Sequence, residues 1–210
     1  MQNNLSASEC VRSGWETFKK RPWTFIGILL LYVVLTMIAS SITGWASEQG
    51  GVAAFVFPVL NLFVVQIFLS MGLIAFTLRF YGDPSDANAR DLWAPKMFWS
   101  FLGMYIVSTL ATIAGFIALI IPGIIIAIGF MFAQYLVIDK ELGSVESLKE
   151  SWHITKGHRW DLFVLVIVLS ILNIIGTLAL LVGLLISIPV TMLATVYAYR
   201  TLAHTPTLAS

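Results

Sequence analysis

Long uncharged runs alternate with short charged segments along the chain. Four runs contain no Asp, Glu, Lys or Arg, and they cover residues 22–47, 49–78, 97–138 and 162–199. One membrane crossing needs about 20 residues at 1.5 Å each, and the last two runs are each about twice that length. Each of those two runs is therefore expected to fold back once, so the pattern predicts six transmembrane helices. Their predicted positions are about 23–43, 54–78, 98–120, 122–138, 162–182 and 185–202.

Turn residues near the middle of both long runs mark the predicted reversals. They are Pro122 with Gly123 in the first run, and segment 183–189 in the second. Proline is tolerated in the first turn of a helix, because its missing N–H would have no partner there. We therefore expect Pro122 and Pro189 to open the fourth and sixth spans.

Basic residues fall only in alternate connections. All 12 Lys and Arg lie within residues 12–21, 79–96 and 140–159 or at Arg200. By the positive-inside rule these segments are cytoplasmic, which places both termini in the cytoplasm and requires an even number of spans. The chain is 59% hydrophobic and 11% charged, whereas soluble domains are about 25% charged. We expect an all-α, multi-pass protein of the bacterial inner membrane, with three hairpins in one integral domain over 1–210.

Two of the charged segments, at about 6–19 and 144–156, have the pattern of amphipathic helices. Apolar residues recur at i, i+4 and i+7 from Val11, and at i, i+3 and i+7 from Val145. Ser6 and Glu9 match a capping box at the start of the first helix. Such helices are expected to lie at the headgroup level with their apolar face inward.

An offset of 137 residues relates these two segments. It pairs Glu9 with Glu146, Arg12 with Lys149, Trp15 with Trp152, Lys19 with Lys156, and Trp23 with Trp160. One interpretation of this internal repeat is a duplication kept for packing. The functional interpretation is a platform at the membrane interface that binds lipids or a partner protein. Its basic and aromatic residues would be Trp15, Lys19, Trp23, Lys149, Trp152, Lys156 and Trp160.

The second half of the chain also carries a family pattern. It reads IPGI at 121–124, YLVID at 135–139 and LGSVESLKESWHITKG at 142–157. This stretch resembles the six-helix membrane domain fused to some bacterial glycerophosphodiester phosphodiesterases, and its stand-alone relatives of unknown function. The resemblance implies a six-helix membrane fold and supplies no catalytic residues. The phosphodiesterase of the fused proteins is a separate barrel domain, which 210 residues leave no room for.

Few polar groups are predicted at membrane depth. The predicted spans contain no Asp, Glu, Lys or Arg apart from their ends, which disfavours proton-coupled or ion-coupled transport. The amide side chains at this depth are Asn61, Gln66, Gln134 and Asn173, and the candidates for a polar lining are Asn61, Gln66 and Asn173. Hydrogen bonds between helices are the favoured interpretation of these amides, and the alternative is the lining of a path for a polar group.

No known catalytic or cofactor-binding pattern occurs in the chain. Glu150 and His153, at i and i+3, have the spacing of two metal ligands, but a solvated helix face is the favoured interpretation. A basic stripe typical of nucleic-acid binding is also missing. We expect a non-enzymatic protein without cofactor or metal, which binds lipids or another protein through its cytoplasmic interfacial helices. The alternative is a transporter or channel for an apolar or amphiphilic small molecule.

Overall fold

The computed structural model describes residues 5–48, 50–85, 87, 91, 97–179 and 183–203, which form helices and turns without a strand. The helices are α1 (Ala7–Lys20), α2 (Pro22–Glu48), α3 (Gly51–Leu60), a π-helical segment (Asn61–Gln66), α4 (Ile67–Gly82), α5 (Phe98–Ala118), α6 (Ile120–Phe130), α7 (Ala133–Asp139), α8 (Ser144–Ile154), α9 (Arg159–Leu178) and α10 (Leu184–Ala203). Trp93, before the third predicted span, and His204, after the sixth, lie outside the described residues.

Six stretches of helix are long and apolar enough to cross a membrane, in agreement with the predicted number of spans. They are Pro22–Glu48, Ala54–Gly82, Phe98–Ala118, Ile120–Asp139, Arg159–Leu178 and Leu184–Ala203. The second joins α3, the π-helical segment and α4, and the fourth joins α6 and α7 across a short break. Six such helices are the composition of a multi-pass membrane protein.

The two prolines that were expected to open helices behave differently. Helix α6 begins at Ile120, so Pro122 lies in its first turn as predicted. Helix α10 begins at Leu184, so Pro189 lies inside the helix and the prediction for it is wrong. Two glycines approach closely on either side of this second reversal. A Cβ at Gly183 would overlap the backbone of Gly176, so this approach requires glycine.

The capping box predicted at Ser6 and Glu9 is also wrong. Ser6 occupies the N-cap of α1 but makes no side-chain cap bond, and its hydroxyl lies 2.7 Å from the hydroxyl of Ser8. The equivalent interaction occurs instead at α8, where the Gly143 N–H donates to Glu146 Oε2 at 3.3 Å. The acidic residue of the second segment therefore stabilises the start of its helix.

The short helices α1 and α8 both pack against the long ones. Helix α1 lies along α10, and α8 packs on α5 and α7. Neighbouring spans also contact one another, as in α2 with α3, α5 with α6, and α9 with α10. Buried residues form a larger cluster around Phe132 and Tyr199 and a smaller one around Phe25, Phe76 and Phe80. This packing brings the starts of α2 and α5 to the same end of the bundle as the ends of α4, α7 and α10.

Candidate functional site

Helix α1 docks on α10 through its apolar face. Cys10, Gly14 and Phe18 are buried in this contact. A Cβ at Gly14 would lie 2.5 Å from the Val190 carbonyl oxygen, which is closer than real Cβ contacts, so the approach requires glycine. Burial, with a smaller contribution from the Glu9 carboxylate, raises the pKa of the Cys10 thiol to about 12. Of the predicted apolar stripe, Phe18 is buried in the protein, Val11 is partly buried and Trp15 is exposed.

The rest of α1 is exposed, and it includes aromatic and basic residues. Trp15 is 42% exposed, and the Lys19 ammonium lies 5.8 Å from the centroid of its ring, within cation–π range. Trp23, at the start of α2, is 82% exposed. We call Trp15, Lys19 and Trp23 the α1 face. Three of the seven predicted interfacial residues are thus exposed, and two of them, Trp15 and Lys19, are in contact.

The predicted residues on and after α8 are divided between the surface and the interior. Lys149, Lys156 and Trp160 are exposed, and we call Lys149 and Lys156 the α8 face. Trp152 instead packs tightly against Gly129 of α6, where an added Cβ would overlap the indole ring. Trp152 is therefore held by protein contacts, whereas its counterpart Trp15 is open to the surroundings.

A contact that the sequence analysis missed joins α8 to the break between α6 and α7. The Ser151 hydroxyl donates to the Gly129 carbonyl at 2.8 Å and accepts from the Phe132 N–H at 3.2 Å. The Thr155 hydroxyl lies 3.4 Å from the same carbonyl. These bonds satisfy backbone groups that the interrupted helix leaves without a partner. A Ser and a Thr at i and i+4 on the apolar side of an amphipathic helix are the signal that could have revealed them.

A network of polar and charged groups links α7, α8 and α10. The Tyr199 hydroxyl donates to Asp139 at 2.8 Å, and the Arg200 guanidinium lies 3.8 Å from the other oxygen of that carboxylate. Next to it, Lys140 lies 3.6 Å from Glu150. Glu150, which has the sequence spacing of a metal ligand, is thus engaged in an ion pair. The network holds the ends of these helices together.

Two of the three predicted lining amides bond to each other, and one of them, Asn61, also bonds to α2. The Asn61 side-chain amide donates to the Ala39 carbonyl at 2.8 Å and to the Thr43 hydroxyl. The Gln66 amide donates to Asn61 Oδ1 at 3.4 Å. Both residues belong to the π-helical segment, and the two Asn61 bonds tie it to α2. This arrangement supports the interhelical interpretation for Asn61, whereas the Gln66 bond stays within the segment.

Asn173 lies elsewhere in the bundle, beside a cavity of about 260 Å³ between α7, α9 and α10. Tyr135, Ser170 and Thr191 share the cavity lining, whereas Asn61 and Gln66 do not. Asn173 Oδ1 is enclosed and accepts no hydrogen bond from the residues that the structure describes. The structure therefore does not unite the three amides in one path.

Two apolar grooves flank α6. The groove toward α5 and α8 has a volume of about 460 Å³ and carries Lys149 at its edge. The groove toward α9 has a volume of about 480 Å³ and carries Arg159 at its edge. Trp152 lines the first groove and stacks on Arg159, whose guanidinium carbon lies 3.8 Å from the ring centroid. The indole therefore separates the two grooves.

Comparison with known proteins gives a family without an assigned activity. No curated protein and no solved structure matches the chain. A family model described as a domain of unknown function, DUF7847, matches residues 89–209, which is more than half of the chain. The matched part includes α5 to α10, with the grooves on both sides of α6 and the Ser151 contacts. The chain belongs to the DUF7847 family.

Proposed function

We propose that the protein crosses the bacterial inner membrane six times as three hairpins, with both termini in the cytoplasm. The hairpins would be formed by the pairs of spans that contact one another along the chain. Basic residues at one end of these pairs support the orientation through the positive-inside rule. The resemblance to the membrane domain fused to glycerophosphodiester phosphodiesterases is compatible with this topology and remains part of the proposal.

In this arrangement the protein is non-enzymatic and binds anionic lipid headgroups through the α1 and α8 faces. One observation carries the proposal: α1 uses its apolar side to dock on α10 and leaves Trp15, Lys19 and Trp23 outside. Indole rings and basic side chains at the end of apolar spans are typical of the headgroup level of a membrane. Each Lys or Arg near an anionic surface contributes on the order of 1 kcal/mol.

Lipid is a better occupant of these faces than a partner protein. Protein interfaces are depleted of lysine at their centre and need a well-packed apolar core. Lys19, Lys149 and Lys156 are all exposed, and the face of α1 that carries Cys10, Gly14 and Phe18 is already buried in the protein. The described faces therefore offer charge and indole rings, which suit a headgroup layer.

The test is native mass spectrometry of the full chain in mild detergent, with equal amounts of phosphatidylglycerol and phosphatidylcholine. Wild-type protein is expected to retain more of the anionic lipid. A triple variant, Lys19→Gln, Lys149→Gln and Lys156→Gln, should lose that preference, by about fivefold for each residue if the contributions add.

Arg12→Gln is the matched control, because Arg12 lies on the same helix and its charge is paired with Glu16 at 3.0 Å. It should retain the wild-type preference. An unchanged preference in the triple variant would refute headgroup binding by these faces. Specific cross-linking of another protein to Trp15 or Lys19 positions would favour the partner-protein alternative instead.

A second candidate function, transport of an amphiphilic small molecule, is favoured by the cavity beside Asn173. Its enclosed amide oxygen lacks a donor among the described residues, and it would accept a hydrogen bond from a polar group in transit. Asn173→Leu should abolish uptake into proteoliposomes if this function is the correct one. Lipid binding by the α1 and α8 faces should not change in that variant.

A further inference from the structure

The groove between α6 and α9 is an apolar depression on the outside of the bundle. Ile121, Ile124 and Ile128 line it on α6, and Trp160 and Phe163 line it on α9. A second depression, of about 270 Å³, shares three of these residues and extends the groove as far as Val166. The groove follows one face of α9 for about 10 Å from its first turn, at 1.5 Å per residue.

Arg159 stands at the start of this groove without a countercharge. It forms no hydrogen bond or ion pair with the residues that the structure describes, and its Nε is enclosed. The acidic residue nearest along the helix, Asp161, lies 3.5 Å from His158 instead. A partly buried charge that is not compensated is costly, so this guanidinium favours an anion beside it.

Stacking on Trp152 leaves the Arg159 guanidinium able to donate hydrogen bonds to an anion. The ring lies against one face of the group at 3.8 Å, which leaves the N–H donors at its edge for an acceptor. The planar fork of Arg matches the oxygens of a phosphate group in a bidentate manner. Trp152 thus fixes the direction of the Arg159 side chain at the edge of the apolar groove.

We propose that this groove binds one anionic glycerophospholipid, with an acyl chain along α6 and α9 and its phosphodiester on Arg159. The site is distinct from the α1 and α8 faces, and it rests on the proposed function only in that lipids surround the protein. Ile121 and Trp160 are 71% and 73% exposed, so the groove is continuous with the outer apolar surface of the spans.

An acyl chain is a better occupant of the groove than a peptide. Arg159 is the single charged residue in the described lining, and the remaining side chains there are Ile, Phe and Trp. A peptide backbone would bring N–H and C=O groups into this surface without partners, at a cost in free energy that an acyl chain avoids. Zwitterionic lipids are expected to bind more weakly, because their own ammonium group partly compensates the phosphate charge.

The experiment is native mass spectrometry of the full chain titrated with phosphatidylglycerol. Wild-type protein should retain one lipid more tightly than all further lipids. Arg159→Gln should weaken this one binding step by about tenfold or more, since a hydrogen bond to a charged group is lost. Arg79→Gln is the matched control, because Arg79 lies at the same end of the bundle and is paired with Asp91 at 2.8 Å.

A second variant tests the groove independently, so that the test does not depend on the folding of Arg159→Gln alone. Ile125→Trp fills the groove from a position that is 37% exposed and leaves Arg159 in place. It should also lose the tightly retained lipid, with an unchanged melting temperature. Retention of that lipid at wild-type affinity in both variants would overturn the proposal, and so would equal affinity for phosphatidylcholine.

The triple lysine variant separates this site from the proposed function. It should lose the general preference for anionic lipids and keep the single tight one. The opposite result, in which the lysine substitutions abolish the tight lipid and Arg159→Gln does not, would reject the groove and leave the α1 and α8 faces as the binding site.

Discussion

Ser151 of α8 donates its hydroxyl proton to the carbonyl of Gly129, 2.8 Å away and on a different helix. That carbonyl lies where α6 ends, inside a stretch long and apolar enough to span a membrane. In hydrocarbon no water is available for such a group, so a helix can be interrupted only where protein supplies the missing bonds. A short helix outside the spans thus stabilises an irregularity within one of them.

Removal of this hydroxyl should destabilise the protein. Ser151→Ala leaves the Phe132 N–H without its partner and leaves the Gly129 carbonyl only the longer contact with the Thr155 hydroxyl at 3.4 Å, and the expected cost is about 1–3 kcal/mol. The measurement is the unfolding temperature in detergent. Ser170→Ala is the control, because the Ser170 hydroxyl is exposed and bonds within its own helix at 2.7 Å. Equal effects of the two substitutions would show that the bridge has no special role.

In the proposed arrangement each hairpin is preceded by a short leading segment, and each leading segment contacts a different hairpin from the one it precedes. Helix α1, before the first pair, packs on α10 of the last pair. Helix α8, before the last pair, packs on α5 and α7 of the middle pair. Asp91, before the middle pair, accepts a hydrogen bond from Arg79 at the end of the first pair. Each leading segment is therefore attached to helices that come before it when the three hairpins are taken in cyclic order.

Substitution of Gly14 should weaken the contact between α1 and α10. In Gly14→Ala the new methyl group would meet the Val190 carbonyl and the Ala194 nitrogen, and overpacking of this kind costs about 1–3 kcal/mol. Cys10, fully buried on the same face, reports the change as faster maleimide labelling. Gly27→Ala is the control, because nothing lies within 4 Å of its added Cβ. Slow labelling in both variants would contradict the role of Gly14.

Stability at high pH should depend on Cys10. Burial holds its thiol neutral by raising the pKa from 9.0 to about 12, so the unfolded chain loses this proton at lower pH than the folded one. The contribution of the neutral thiol is complete below about pH 9 and declines as the pH rises toward 12. Wild-type protein should therefore lose stability in this range relative to Cys10→Ala. Parallel pH profiles of the two melting temperatures would show that the thiol is not buried.

The number and position of the spans could be predicted because they follow from local composition. Long uncharged runs and the segregation of Lys and Arg do not depend on which helices touch. The partners of the short helices could not be predicted in this way. The same apolar stripe on α1 suits lipid or protein, and the choice depends on Gly14 meeting Val190, a contact between residues far apart in the chain.

The candidate site also depends on contacts between distant residues that the sequence pattern does not predict. Equivalent positions in the sequence suggested equivalent roles for Trp15 and Trp152, yet only Trp15 remains open. The difference arises because Gly129 leaves space for an indole ring beside α6, a property of the neighbouring helix that the amphipathic pattern of α8 does not encode. Arg159 was likewise one of many basic residues in the sequence. That it lacks an ion pair with any described residue follows from the geometry of its neighbours.

The proposed orientation can be tested with single cysteines in a Cys10→Ser background. Leu119→Cys lies at the reversal between α5 and α6, where the native side chain is 68% exposed, and Lys20→Cys lies at the end of α1. A maleimide that cannot cross the inner membrane should label position 119 in intact cells, and position 20 only after the membrane is opened. This result is expected because basic flanks are retained in the cytoplasm. The reverse pattern would invert the topology, and labelling of both positions in intact cells would refute the three crossings expected between residues 20 and 119.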